Sequence, residues 1–178
     1  MDAMIYSVVD EGVVVNHALA DAEFAASQGW IPAGDSRIGD LWDGEVFTPA
    51  PPAPLLARQA AVWERVKAER ERRRTGGVKV GAHWFHSDDA SRIQQLALAI
   101  MGQAVPAVQW KTLTLAPTAV FVTMTPALAQ GIFQATAASD TAIFAAAEAH
   151  REAMEASTEP ESYDFSGNWP PAIWDEVE

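Results

Sequence analysis

Cysteine is absent from the 178 residues. That excludes a disulfide framework and thiolate metal ligation alike. No stretch approaches the roughly 18 consecutive apolar residues that a bilayer-spanning helix needs. Basic residues are scarce, with 12 Lys and Arg against 24 Asp and Glu and a formal net charge of -12. Such a surface repels a phosphate backbone, so general nucleic-acid binding is not expected. The amino terminus places Asp2 and Asp10 around a short apolar run and lacks the basic start of a secretory signal. Also missing are Gly-x-Ser-x-Gly, a phosphate-cradling loop, a dinucleotide fingerprint and His-Glu-x-x-His. The expectation is therefore a protein that is not an enzyme and takes no cofactor.

What is present points to packing and contact. Apolar residues make up 49% of the chain, which argues against general disorder. Seven tryptophans supply the large aromatic area that dominates cores and interfaces. Charge is uneven. Arg58, Arg65, Lys67, Arg70, Arg72, Arg73 and Arg74 hold seven of the twelve bases, while from Glu152 onward there are eight acids and no base. Two readings stay open: a solvated helix end with a solubilising tail, or mutual attraction within one subunit or between copies.

The fold class expected is α+β. Residues 1–48 read as a small β-rich module. Met4 to Val9 and Gly12 to Val15 are β-prone around an Asp10-Glu11-Gly12 turn, and Leu19 to Gln28 reads as a short helix stopped by Gly29. Asp43-Gly44 between Leu41-Trp42 and Val46-Phe47 is a hairpin signal. Residues 49–54 contain four prolines and read as a semi-rigid spacer. Residues 55–157 read as three helices with inserted β-hairpins, and residues 158–178 as an acidic aromatic tail.

In that second module a helix is expected from Leu55 to Arg74, with Val62 and Val66 buried, Trp63 beside them and Gly76-Gly77 as the stop. A hairpin over Val78 to Phe85 turns near Gly81, and Ser87 is the expected N-cap of the next helix. There Ile93, Leu96, Ala97, Ile100 and Met101 recur at i, i+3, i+4, i+7 and i+8, the spacing of a core face. On that reading Ile93→Asp should unfold the module. Two further strands lie near Val108 to Lys111 and Val120 to Thr123. Thr125-Pro126 then caps a long Ala-rich helix, to about Ala156, along which Leu128, Ile132, Ile143, Ala147 and Met154 recur.

Candidate chemistry is thin. His83 and His86 with Asp88 and Asp89 are metal-ligand types, but residues three apart on a strand point to opposite faces, so no metal site is expected. Glu148 and His150, two apart on a helix, do not form a dyad. Trp30, Trp42, Trp63, Trp84 and Trp110 are expected as core anchors. In the tail, Tyr163, Phe165, Trp169 and Trp174 would each cost up to roughly 1.5–3 kcal/mol if left in water. They either fold back on the chain or form a partner interface. The reading adopted is the interface, so removing residues 160–178 should leave the body intact but weaken partner or self-association.

A family resemblance covers roughly residues 55–157. Its residues are Val66 through Arg73, Gly76-Gly77-Val78, Trp84 through Arg92, Gln109-Trp110-Lys111-Thr112, Phe121 through Thr125 and Ala147-Glu148-Ala149-His150. Together they resemble an uncharacterised domain near the C-termini of tail-fibre-like proteins of tailed bacteriophages and prophages. The stretch Ile38 to Gly44 is similar to segments that precede this domain in phage tail proteins. The resemblance implies a virion tail component, made in the host bacterial cytoplasm. It would sit at the tail tip or baseplate or attached to a fibre, binding other tail proteins and forming a homo-oligomer. With no fibrous shaft among these residues, a complete fibre is not expected. A fibre-assembly chaperone is the alternative, and a host-surface receptor binder a third reading.

Overall fold

The computed structural model describes residues 3–176 and divides into two compact units, Met1–Ala53 and Pro54–Glu178. The architecture is α+β, with a β-rich amino-terminal unit followed by a helical one. The four prolines from Pro49 to Pro54 straddle the division, where neither strand nor helix can run on.

In the first unit, β1 (Met4–Asp10) and β2 (Val13–Ala20) form an antiparallel hairpin pairing Asp10 with Val13 and Met4 with Ala20. Its two-residue turn needs positive φ at both positions, and Glu11 and Gly12 supply 48° and 79°. The pairing carries Leu19 into β2, so the expected helix from Leu19 is shorter. It is α1 (Ala22–Ser27), which starts only where the Asp21 carboxylate accepts from Phe24 N at 2.8 Å. Short strands β3 (Ile31–Pro32), β4 (Leu41–Trp42) and β5 (Phe47–Thr48) complete a sheet of order β3-β1-β2-β4-β5. Between β4 and β5 the Asp43 carboxylate accepts from the backbone N–H groups of Val46 and Glu45, each at 2.9 Å, which holds its pKa below the usual carboxylate value.

In the second unit, α2 (Leu55–Arg74) packs against the long α4 (Pro126–Glu155), and α3 (Asp89–Met101) packs against α4 as well. Two small hairpins lie between the helices: β6 (Val78–Val80) with β7 (His83–Phe85), and β8 (Gln109–Lys111) with β9 (Phe121–Thr123). They are joined by Leu113 N donating to Trp84 O at 2.7 Å. Phe85, Met124 and Ile132 form a fully buried nucleus with Val78, Val105 and Ala129. Full burial of such large side chains is worth roughly 1.5–3 kcal/mol each. Val62 and Val66 of α2, and Ile143, Ala147 and Met154 of α4, are also buried. Of the five expected tryptophan anchors, Trp84 is buried at 6% exposure, whereas Trp30, Trp42, Trp63 and Trp110 are half-buried.

Two expectations about α3 need correction. Its N-cap is Asp88, whose carboxylate accepts from Ser91 N and Oγ and is held below the usual carboxylate range foremost by the Ser91 hydroxyl. Ser87 is instead buried. Its Oγ accepts from Gly77 N at 2.9 Å and donates to Arg74 O at 2.8 Å, tying the end of α2 to the start of α3. The second correction concerns the expected core face. Ile93 is 70% exposed and Ile100 77%, and Leu96, Ala97 and Met101 are exposed too. The inward stripe is Arg92, Gln95 and Leu98.

Candidate functional site

Why α3 turns its apolar stripe outward is a matter of hydrogen bonds. Ser87 O and His86 O need donors beside α3, and no aliphatic side chain can supply one. Arg92 donates to Arg74 O at 2.9 Å, to Ser87 O, and to the Asp140 carboxylate on α4, including a 2.8 Å contact to Oδ1. Gln95, 3% exposed, donates to His86 O and accepts from Thr136 Oγ1 at 3.2 Å. A buried polar group left unpaired costs about 1–3 kcal/mol, so these bonds fix the rotation of the helix. The consequence is an inverted amphipathic helix, docked by polar side chains and presenting Ile93, Leu96, Ala97, Ile100 and Met101 to solvent.

That face belongs to a longer uncharged stretch. From Ile93 to Ser139 the chain carries one charged side chain, Lys111. Within the stretch Phe121, Leu115, Val108 and Phe133 are also exposed. Leu96 and Phe133 flank a groove between α3 and α4 of about 210 Å³. This interval was legible in the sequence, as a gap in the charge pattern, but periodicity alone assigned its best helix to the core.

The charged remainder of the second unit is bound up with itself. Tyr163, Phe165, Trp169 and Trp174, expected at a partner interface, fold back on their own chain. The Arg65 guanidinium lies over Phe165 at 5.1 Å and Arg72 over Trp174 at 4.4 Å. Arg58 grips the Glu161 carboxylate with two contacts, 2.6 and 2.8 Å. Arg73 donates to Asp175 at 2.5 Å and to Pro170 O, and Ile173 N donates to Gly76 O at 3.0 Å. Tyr163 and Trp169 meet at His150, which is 3% exposed. Gly167 O can only accept, so His150 Nε2 donates to it at 2.9 Å, and in the neutral ring Nδ1 accepts the Tyr163 hydroxyl at 2.9 Å. The basic run of α2 therefore holds the acidic aromatic tail within one subunit. Lacking a regular apolar face, the tail is held by stacking and ion pairs along α2.

The remaining candidates are dispersed. Among the described residues no group of three His, Cys, Asp or Glu is placed to hold a metal ion. His86 Nδ1 lies 3.9 Å from Asp88 Oδ2. One contact escaped the sequence reading because 19 positions separate its members: His17 Nε2 lies 3.2 Å from Ser36 Oγ, itself 2.7 Å from the buried Ser7 Oγ. A nucleophile–base pair also needs a group orienting the imidazole, and among the described residues no hydrogen bond reaches His17 Nδ1. The chain of hydroxyls satisfies Ser7 within the sheet. No helix among the described residues is long and apolar enough to cross a membrane.

No curated protein and no solved structure matches the chain. A family match spans residues 57–167, from the first turn of α2 to the glycine bonded by His150, and so takes in both the outward face of α3 and the first half of the folded-back tail. Covering more than half of the sequence, it shows that the chain belongs to the family described as Domain of unknown function (DUF4376).

Proposed function

We propose that this protein is a structural component of a bacteriophage or prophage tail, at the tail tip or baseplate or attached to a tail fibre, and that it works by fitting against other polypeptides rather than by turnover. The observation carrying the reading is the outward apolar face of α3, set in a 93–139 segment with one charged side chain. Exposed apolar patches of this kind mark sites of protein contact. Placement in a phage tail rests on the resemblance of Trp84 through Arg92, Gln109 through Thr112 and Phe121 through Thr125 to tail-fibre-like proteins.

The test is particle composition. Virions of a phage or prophage encoding the chain are purified through a density gradient, and the protein is quantified against the major tail proteins by mass spectrometry. A fixed ratio in infectious particles is expected. Recovery only with free fibres would replace this reading with that of an assembly chaperone. Recovery with neither would overturn the tail assignment.

A further inference from the structure

We propose that the outward face of α3 pairs with the same face of a second copy of this chain, antiparallel, across a two-fold axis beside Ala97. The inference rests on the reading that the protein acts through polypeptide contact, and it names the first of those contacts. Three observations converge on a second copy.

The first is symmetry of the stripe. Ile93 lies four residues before Ala97 and Met101 four residues after it, with Leu96 beside Ala97 and Ile100 beside Met101. Antiparallel pairing about Ala97 sets Ile93 of each helix against Ile100 and Met101 of the other. The small central side chain lets the two backbones approach. An isologous contact requires such a self-complementary patch.

The second is charge. Two copies at -12 each repel wherever their acidic surfaces meet. Segment 93–139 is where two copies can touch without that cost, because its one charge, Lys111, is positive. At its border the Arg92 guanidinium is already neutralised by Asp140.

The third is area. Ile93 and Ile100 are 70% and 77% exposed, Leu96 and Met101 45% each, and Phe133 beside them on α4 36%. For side chains of this size that is on the order of several hundred Å², the size at which a patch marks an interaction site. A two-fold contact uses the patch twice, which brings the total near the roughly 1,000 Å² that a specific interface needs.

Sedimentation equilibrium of the full chain is expected to show a reversible monomer–dimer equilibrium. Ile100→Glu, at a position 77% exposed, should keep the circular dichroism spectrum and raise the dimer Kd about a hundredfold by setting carboxylates in an apolar contact. Because the chain has no cysteine, Ala97→Cys supplies a unique thiol. Under mild oxidation it should form a covalent dimer much faster than Ala149→Cys on the charged half of α4. A wild-type chain that stays monomeric up to its solubility limit, self-association unchanged by Ile100→Glu, or equal cross-linking at the two thiols would each overturn the pairing. Particle association that survives in a folded, monomeric Ile100→Glu separates the two claims. It would leave the tail assignment standing whatever became of the dimer.

Discussion

At Gly76 an added Cβ would sit 2.6 Å from the Ala172 Cβ and 2.7 Å from Cη2 of Trp174, closer than real contacts allow. The neighbouring Gly77 combines a φ of 85° with the Leu113 Cδ2 at 2.5 Å from the same hypothetical atom. The pair therefore does more than stop α2. Gly77 makes a turn that other residues resist, and Gly76 opens the gap into which the tail returns. Gly76→Ala is expected to push out residues 172–174, at a cost of about 1–3 kcal/mol. Limited proteolysis should then cut after Pro171 with the helices still folded, while Trp174 fluorescence shifts to the red as its stacking on Arg72 is lost. An unshifted spectrum and an intact tail would show that the gap has slack.

At the scale of elements, two segments behave differently from their sequence patterns, and each makes a prediction. Glu161 is held down to about 2 by the hydrogen-bonded Arg58 guanidinium, against an ordinary value of 4.5. A carboxylate with a depressed folded pKa contributes stability that is complete above its unfolded value and lost as pH falls through the folded one. Tail docking should accordingly be intact at pH 6 and loosen as pH falls from about 4.5 toward about 2. Glu176, lowered chiefly by Lys79, adds to the same trend. Tryptophan fluorescence followed against pH reads this directly, and Glu161→Gln should flatten that part of the curve. For α3 the contrast is between faces. Ile93→Asp should leave monomer stability within about 0.5 kcal/mol, whereas Ile132→Asp, at a fully buried position, should unfold the unit. Equal melting temperatures for the two variants would show that α3 is rotated differently.

For the whole molecule, the second unit builds its nucleus from its own residues. The Phe85, Met124 and Ile132 nucleus lies entirely between Pro54 and Glu178, and so do the arginine–tail contacts. Residues 54–178 alone should therefore unfold in one cooperative transition with a defined urea midpoint. Truncation at residue 159 should lower that midpoint, since Ala172 and Ile173 are buried and Pro160 is fully enclosed. The tail is thus packed as part of the folded body, which runs against the expectation that removing residues 160–178 would leave that body intact.

Local chemistry was legible wherever neighbours along the chain settle the matter. Leu55 to Arg74, the turn at Gly81, and the Thr125-Pro126 start of α4 could be read because propensity, caps and positive-φ turns act within a few residues. The α+β division followed from the same signals and the proline run. What lay beyond the sequence was which way each element faces. Periodicity gave α3 an apolar stripe but not its direction, because that depends on carbonyls at Arg74, His86 and Ser87 that only the folded chain brings beside Arg92 and Gln95. Likewise the acidic tail and the basic helix were visible as compositions a hundred residues apart. Whether they would meet in one subunit was decided by the Gly76 gap and by arginines spaced to receive Phe165 and Trp174. Short-range conformational preferences are written in the chain, whereas orientation is settled by buried hydrogen bonds and shape, which exist only once distant segments pack.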